Sequence, residues 1–467
     1  MRYLLISTIM PLLIVAALWL LSSRLPPTDG QLQALAVLAD PTEFEGSNAF
    51  PILWLLAYDV PESELDAVIA ADIKALERVR PESHTAFQEP PFRTLAAERY
   101  PDLRPNAEDQ ALFCPSRNMG CLERVRANPM AYRQLILQHR RLLDRIAALA
   151  EHDHVQSLFA PDLIAPTPWF QMVSFSQTEH ALAFAEQRVE EALSGTCRDL
   201  LAWQRLGTHT DTLLVRMIGQ AFAGRTYPRL LADMLAELPT GHPLPADCQA
   251  LLHPPEADML RMCRPMQGEF RMLAALIAKI GASADPRGGS DYRLDPLSTL
   301  TYRPNASIAR SAPLYAQWCS EEMIRSVAAD DPKPELLQPP GLLDLRCLSN
   351  WSGCVMAGIA TSSHFLGYHV QHLDYGARRR LLSALLWLQE NTADESPEDA
   401  FARLPEQMQS LTRPLRLDTE QGRLVVDLHR SGEEEYFALP LPGSRLSLTR
   451  DQQQPDHNQY EPGGSEF

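Results

Sequence analysis

Asn128–Leu149 reads NPMAYRQLILQHRRLLDRIAAL, and the fold class follows from its pattern. An asparagine followed by proline is a helix start. The asparagine side chain accepts a backbone amide of the first turn, and proline there forfeits no hydrogen bond. Tyr132, Leu135, Ile136, Leu142, Leu143, Ile146 and Leu149 recur at spacings of three and four, giving one apolar face. The pattern predicts a helix running on to about Phe159. Thr167-Pro168 repeats the start signal and predicts a helix to about Leu193, closed by Gly195. A third helix is expected from Arg198 to about Leu238, on Leu200, Leu201, Leu206, Leu213, Leu214, Met217, Ile218 and Phe222, with a bend between Gly219 and Pro228.

Further helical stretches are read at 256–280, 314–329 and 373–389, and a dense apolar segment from Gly46 to Asp59 reads as a buried helix. The chain holds 38 prolines, most of them between these stretches, where they end helices and stiffen connections. Near the C-terminus the period changes to two. Residues 415–418 and 423–428, separated by Glu420-Gln421-Gly422, predict a hairpin, and 435–441 a third strand. The polar run 451–467 reads as disordered. The expected fold is mainly α: an irregular helical bundle with an N-terminal transmembrane helix and a small C-terminal β element. No internal repeat emerges that would make it a solenoid. The expected divisions are an anchor at 1–24, a loop-rich region at 25–127, a long-helix bundle at 128–335, a helix with hairpin at 336–450, and the tail.

The anchor is expected from the apolar run Leu4–Leu21, close to the roughly 20 residues a bilayer core requires. It ends in bulky Leu20, Leu21 and Leu25, which favours an uncleaved span over a cleavable signal. Arg2 and Arg24 flank it on either side, so charge does not orient it. The eight cysteines all follow the run, as Cys114, Cys121, Cys197, Cys248, Cys263, Cys319, Cys347 and Cys354. Cys114–Cys121 and Cys347–Cys354 each enclose a short, turn-forming loop. The middle four can pair as 197–248 and 263–319, with other pairings open. An even count in this arrangement fits an oxidising compartment. The combined expectation is a bacterial inner-membrane protein, single pass, with its body in the periplasm.

Net charge is −17, from 59 acidic and 42 basic residues, which argues against nucleic acid as a partner. The strongest basic cluster, Arg378-Arg379-Arg380, falls within a predicted helix. Chemistry-bearing residues are scattered. His152 and His154 end a helix among acids and are candidate metal ligands, but two residues apart they do not share a face. His364, Tyr368 and His372 align at helical spacing, and His369 and His372 lie three apart, so they are candidate metal ligands or catalytic groups. Ser362 and Ser363 precede them without the frame of an α/β-hydrolase nucleophile. Glu269 is a candidate general acid, and Glu179, His180, Glu190 and Glu191 mark a further polar helix. No phosphate loop, dinucleotide fingerprint or haem motif is present, and no cofactor is expected.

The stretches Asn48–Asp59, Cys114–Cys121 and Ile164–Pro168 resemble membrane-anchored envelope proteins of gammaproteobacteria to which no activity is assigned. That resemblance implies an envelope location and carries over no functional residue. The functional expectation is a disulfide-stabilised body binding another envelope or secreted protein. The alternative is an envelope hydrolase acting on cell-wall, peptide or lipid substrate through Glu269, His364, His369 or His372.

Overall fold

The computed structural model describes residues 2–40, 43–78, 92–116, 120–161, 165–283, 300–339, 341–359, 363–392, 395–429 and 434–445. The expected disordered tail, Ser362, and the stretches 80–91 and 284–299 of the expected connections lie outside the described residues.

An irregular helical bundle with one three-stranded sheet forms the body. The decisive stretch is helical but in two pieces, Pro129–Gln138 and Arg140–Ala148, with the break at His139. Its imidazole Nε2 lies 3.0 Å from Asp109, so a buried polar contact interrupts the run. The helix stops at Glu151 rather than Phe159, because 153–155 pair as isolated bridges with Ser47 and His209 carbonyls. The next expected boundary also moves. The chain breaks at Gln187, in the left-handed region (φ 64°), while Gly195 lies inside the following helix, Val189–Thr208. A side chain at Gly195 would strike the His180 ring, so this glycine serves packing and not termination. The expected bend takes the form of a π-turn at Phe222–Thr226, between helices Leu213–Ala221 and Tyr227–Ala236.

Two apolar clusters fill the body. The larger joins Phe50, Leu53, Leu143, Leu200, Trp203 and Leu231 to one long helix, Ser363–Asn391. The smaller gathers Leu38, Met266, Phe270, Tyr315, Trp318 and Met323 from helices Asp29–Ala39, Cys263–Ser283 and Pro304–Ala316, the turn Gln317–Cys319 and helix Glu321–Ala328. The long helix serves both, with Leu381 and Leu385 in the first and Phe365 against the second. Strands β1 (Arg416–Asp418), β2 (Arg423–Asp427) and β3 (Tyr436–Pro440) form an antiparallel sheet in that order. Leu424 pairs with Leu439 and Val426 with Phe437, and these four bury one face against the helices. Four disulfides close as 114–121, 197–248, 263–319 and 347–354.

The membrane reading is corrected. Among the described residues no helix is long and apolar enough to cross a membrane. The first helix does run from Arg2 to Arg24, but its last turns belong to the body. Trp19 Nε1 donates to the Leu300 carbonyl at 3.2 Å. Ser22 is buried, its hydroxyl donating to Ser349 Oγ at 2.8 Å and accepting from the Ser349 amide at 3.0 Å. Arg303 stacks on the Trp19 ring. The run before Trp19, residues 4–18, is about 15 residues or roughly 22 Å of helix, against a hydrocarbon core of about 30 Å. The expected anchor through residues 4–21, the single-pass topology and the inner-membrane placement fall with it.

Candidate functional site

The long helix Ser363–Asn391 carries most of the candidate residues, and it points them apart. His369 is fully buried, and its Nε2 donates to the Asp331 carbonyl at 2.9 Å beside the Trp318 ring. His372 faces elsewhere. Its Nδ1 donates to the Tyr368 carbonyl at 2.7 Å, which leaves Nε2 to accept from Arg216 Nε at 3.1 Å. Burial, with Arg216 close by, holds His372 well below the ordinary imidazole value, and burial lowers His369 too. Both rings are neutral structural acceptors and donors. The side chain of His364 lies outside the described residues.

Glu269 sits across the body on helix Cys263–Ser283. Its Oε1 accepts from the Leu213 amide at 3.3 Å, capping the start of a helix, and burial raises its pKa. His152 donates from Nδ1 to the Ala148 carbonyl at 3.1 Å. His154 is buried and stacks on Phe44, with its pKa lowered by burial. Glu190 and Glu191 open helix Val189–Thr208 at its favourable end, and Glu179 pairs with Arg140. His180 pairs with Asp199 at 2.8 Å inside the core. Among the described side chains, the structure therefore brings none of the sequence-predicted candidates into a common constellation. Among the described residues no group of three or more His, Cys, Asp or Glu is placed to hold a metal ion.

Arg216, which the sequence reading passed over, marks a different site. It is only 2 % exposed, yet among the described residues its hydrogen bonds go to carbonyls and to His372, and none to a carboxylate. Nη1 donates to Gly207 O at 3.0 Å, and Nη2 to Met259 O and to Arg261 O at 3.2 Å. Burial pulls its pKa down to about 10. This charge is positioned by the close crossing of helices Val189–Thr208 and Leu213–Ala221. There the glycine pair Gly207 and Gly219 meets so tightly that a Cβ on either would fall within 3.0 Å of the other's Cα.

Arg216 lines a cavity of about 650 Å³ whose walls also carry Arg205, Arg261, Arg264, His209 and Gln204. Arg205 is aimed by the carbonyls of His152 (2.8 Å) and Ala150. Arg264 lies over the Phe44 ring, and Arg261 pairs with exposed Asp258 at 2.6 Å. Arg379, 1 % exposed, stands behind the wall and donates from Nε to Gln204 Oε1 at 3.0 Å. The acidic residues on the lining, Glu256 and Asp258, are exposed. Four guanidiniums line a space with two carboxylates, so the cavity is cationic inside an acidic protein. A useful signal was present in the sequence: Arg216 interrupts the apolar run LLVRMIG, 213–219, on the buried side of a predicted helix.

The fold and cavity define a disulfide-bonded helical body with a cationic pocket. Comparison with family models, curated proteins and solved structures finds no match for this chain.

Proposed function

We propose that this protein is a binding body for a small anionic ligand, working where disulfides persist. The observation that carries the reading is Arg216, a nearly inaccessible guanidinium on a cavity wall with no carboxylate bonded to it among the described residues. An unpaired buried charge is costly, and the carbonyls around Arg216 offset it only in part. A bound carboxylate or oxyanion completes the neutralisation, and guanidinium forks suit such ligands. The overall charge of −17 disfavours polyanions, so a ligand small enough to enter the cavity is the one that fits. The four disulfides support an oxidising compartment.

The test is thermal unfolding of the oxidised full chain with citrate, sulfate and inorganic phosphate, against chloride at matched ionic strength. At about 100 times Kd a specific ligand adds roughly 2.7 kcal/mol, which is several degrees in Tm. The expected result is a saturable rise for at least one anion, lost in Arg216→Met. Equal Tm values in all four salts would remove the proposal.

A further inference from the structure

The triplet Arg378-Arg379-Arg380 sends its guanidiniums into three surroundings. Arg379 meets Gln204 behind the cavity, and Arg380 donates to the Arg413 carbonyl. Arg378 enters a separate cleft, between the long helix, the segment Phe222–Ala236 and β3. Arg225 and Arg229 point into the same cleft, and all three gather about one carboxylate, Glu434. Glu434 Oε1 accepts from Arg229 Nη2 at 2.8 Å, whereas Arg225 stays 3.7 Å from Oε2, which accepts no hydrogen bond among the described residues. Arg229 and Arg378 both stack on the Phe437 ring, 5.2 and 5.5 Å from its centroid.

This cleft carries a charge surplus. Among the described residues three guanidiniums face Glu434, with buried Asp374, itself paired with Arg413, also acting on Arg378; Arg378, whose pKa burial draws down to about 10, has no hydrogen-bonded carboxylate there. The cluster is reachable from solvent, since the side chains of Arg225 and Glu434 are 25 % and 32 % exposed. Arg225 and Arg229 lie four residues apart and so share one face, although Arg225 is held in the π-turn and Arg229 in the helix beyond it. Such π-turns concentrate at functional positions.

We infer that Arg225, Arg229 and Arg378 form a second site, for a phosphate-type dianion, in which Glu434 is the internal stand-in for the ligand. Planar guanidiniums held on an aromatic ring present fixed forks to phosphoryl oxygens. A dianion matches the surplus of about two charges that Glu434 leaves, whereas a monocarboxylate only duplicates Glu434. The site is independent of the cavity at Arg216.

Calorimetric titration of the full oxidised chain with inorganic phosphate at low salt tests this, with acetate as the monocarboxylate control. Glu434→Gln removes the competing charge and is expected to tighten phosphate about tenfold. Arg225→Gln, a partly exposed position, is expected to weaken it about tenfold. Cavity variant Arg261→Gln should leave this phosphate site unchanged, and acetate should bind at least tenfold more weakly than phosphate. Unfolding midpoints of both cleft variants confirm a folded chain. The inference is overturned if Glu434→Gln and Arg225→Gln titrate like the parent protein. It is equally overturned if phosphate binding vanishes with Arg261→Gln alone, which would assign phosphate to the cavity.

Discussion

One turn of the helix Ser363–Asn391 holds two buried arginines of opposite kinds. Arg413 reaches it from the loop before β1 and binds Asp374 at 2.6 Å, the Leu373 carbonyl at 2.9 Å and both oxygens of Asp330. Arg216 reaches the preceding residue, His372, and binds no carboxylate among the described residues. Both are nearly inaccessible, at 5 % and 2 %. Arg413 is neutralised within the fold and ties the sheet to the bundle. Arg216 is held by dipoles alone and faces a cavity. Burial of a charge therefore has two meanings here, and its partners tell them apart.

The largest effect should come from breaking the paired member. Arg413→Met removes the guanidinium shared by buried Asp374 and Asp330, and breaking such a pair costs about 3–5 kcal/mol. Urea unfolding should show the loss. Asp330 adds a pH signature. Burial raises its pKa, but the Arg413 bond and charge outweigh this and hold it below the usual value. Its contribution is present above the unfolded carboxylate value, about 3.9, and disappears as pH falls through the lower folded one. The variant should lose this acid-dependent part. An unchanged urea midpoint would show that Arg413 is as uncommitted as Arg216.

Arg216→Met should cost less, about 1–3 kcal/mol, because the hydrogen bonds lost leave carbonyls and not a carboxylate unpaired. Anion-dependent stabilisation should vanish with it. If Arg216→Met costs as much as Arg413→Met and anions stabilise both proteins equally, the distinction between lock and receptor fails.

Much of the frame that sets up this contrast was legible in sequence, for physical reasons. Helical period survives in Leu135, Ile136, Leu142 and Leu143 because packing buries one stripe. Alternation survives in Leu424 and Val426 because one sheet face is covered. The breaks at His139 and Gln187 were hidden, since they depend on Asp109 and on backbone geometry set by tertiary packing. The first helix misled for the same reason. Composition reads Leu4–Leu21 as a bilayer length, and only the fold brings Ser349 to Ser22 and Leu300 to Trp19. The site was least legible. Histidines three and four apart suggested a constellation, whereas adjacent faces of the helix send His369 to Asp331 and His372 to Arg216. The arginines that line the cavity come from three segments, Arg205, Arg216 and the pair Arg261 and Arg264, and no local spacing joins these segments.

A smaller effect separates the two networks by pH. His372 Nε2 accepts from Arg216, so a proton there would set two donors face to face. Its folded pKa lies well below the unfolded value of about 6.5. The unfolded chain therefore takes up a proton as pH falls below about 6.5 while the native chain refuses it, and stability declines on the acid side. Around it the relevant groups are Arg216, the Tyr368 carbonyl and His369, itself lowered by burial. His372→Asn keeps an acceptor for Arg216 without a titrating ring. Between pH 7 and 5 its stability should fall less steeply than the parent's, by up to about one proton's worth of slope. Parallel curves would mean that His372 titrates normally and that Arg216 is held by other groups.

The smallest change in stability should accompany a large change in binding. Arg261 is partly exposed, and its pair with Asp258 lies at the surface, where such bridges contribute about 0–1 kcal/mol. Arg261→Gln should therefore leave the urea midpoint nearly unchanged. If the cavity takes an anion, the same substitution removes a charge from its wall and should weaken that ligand about tenfold, the effect of one lost charge-assisted hydrogen bond. A structural role predicts the reverse pairing, with lost stability and unaltered affinity. Measuring both quantities on this one variant asks whether charge in the cavity is kept for the fold or for a guest, with little disturbance of the buried network around Arg216.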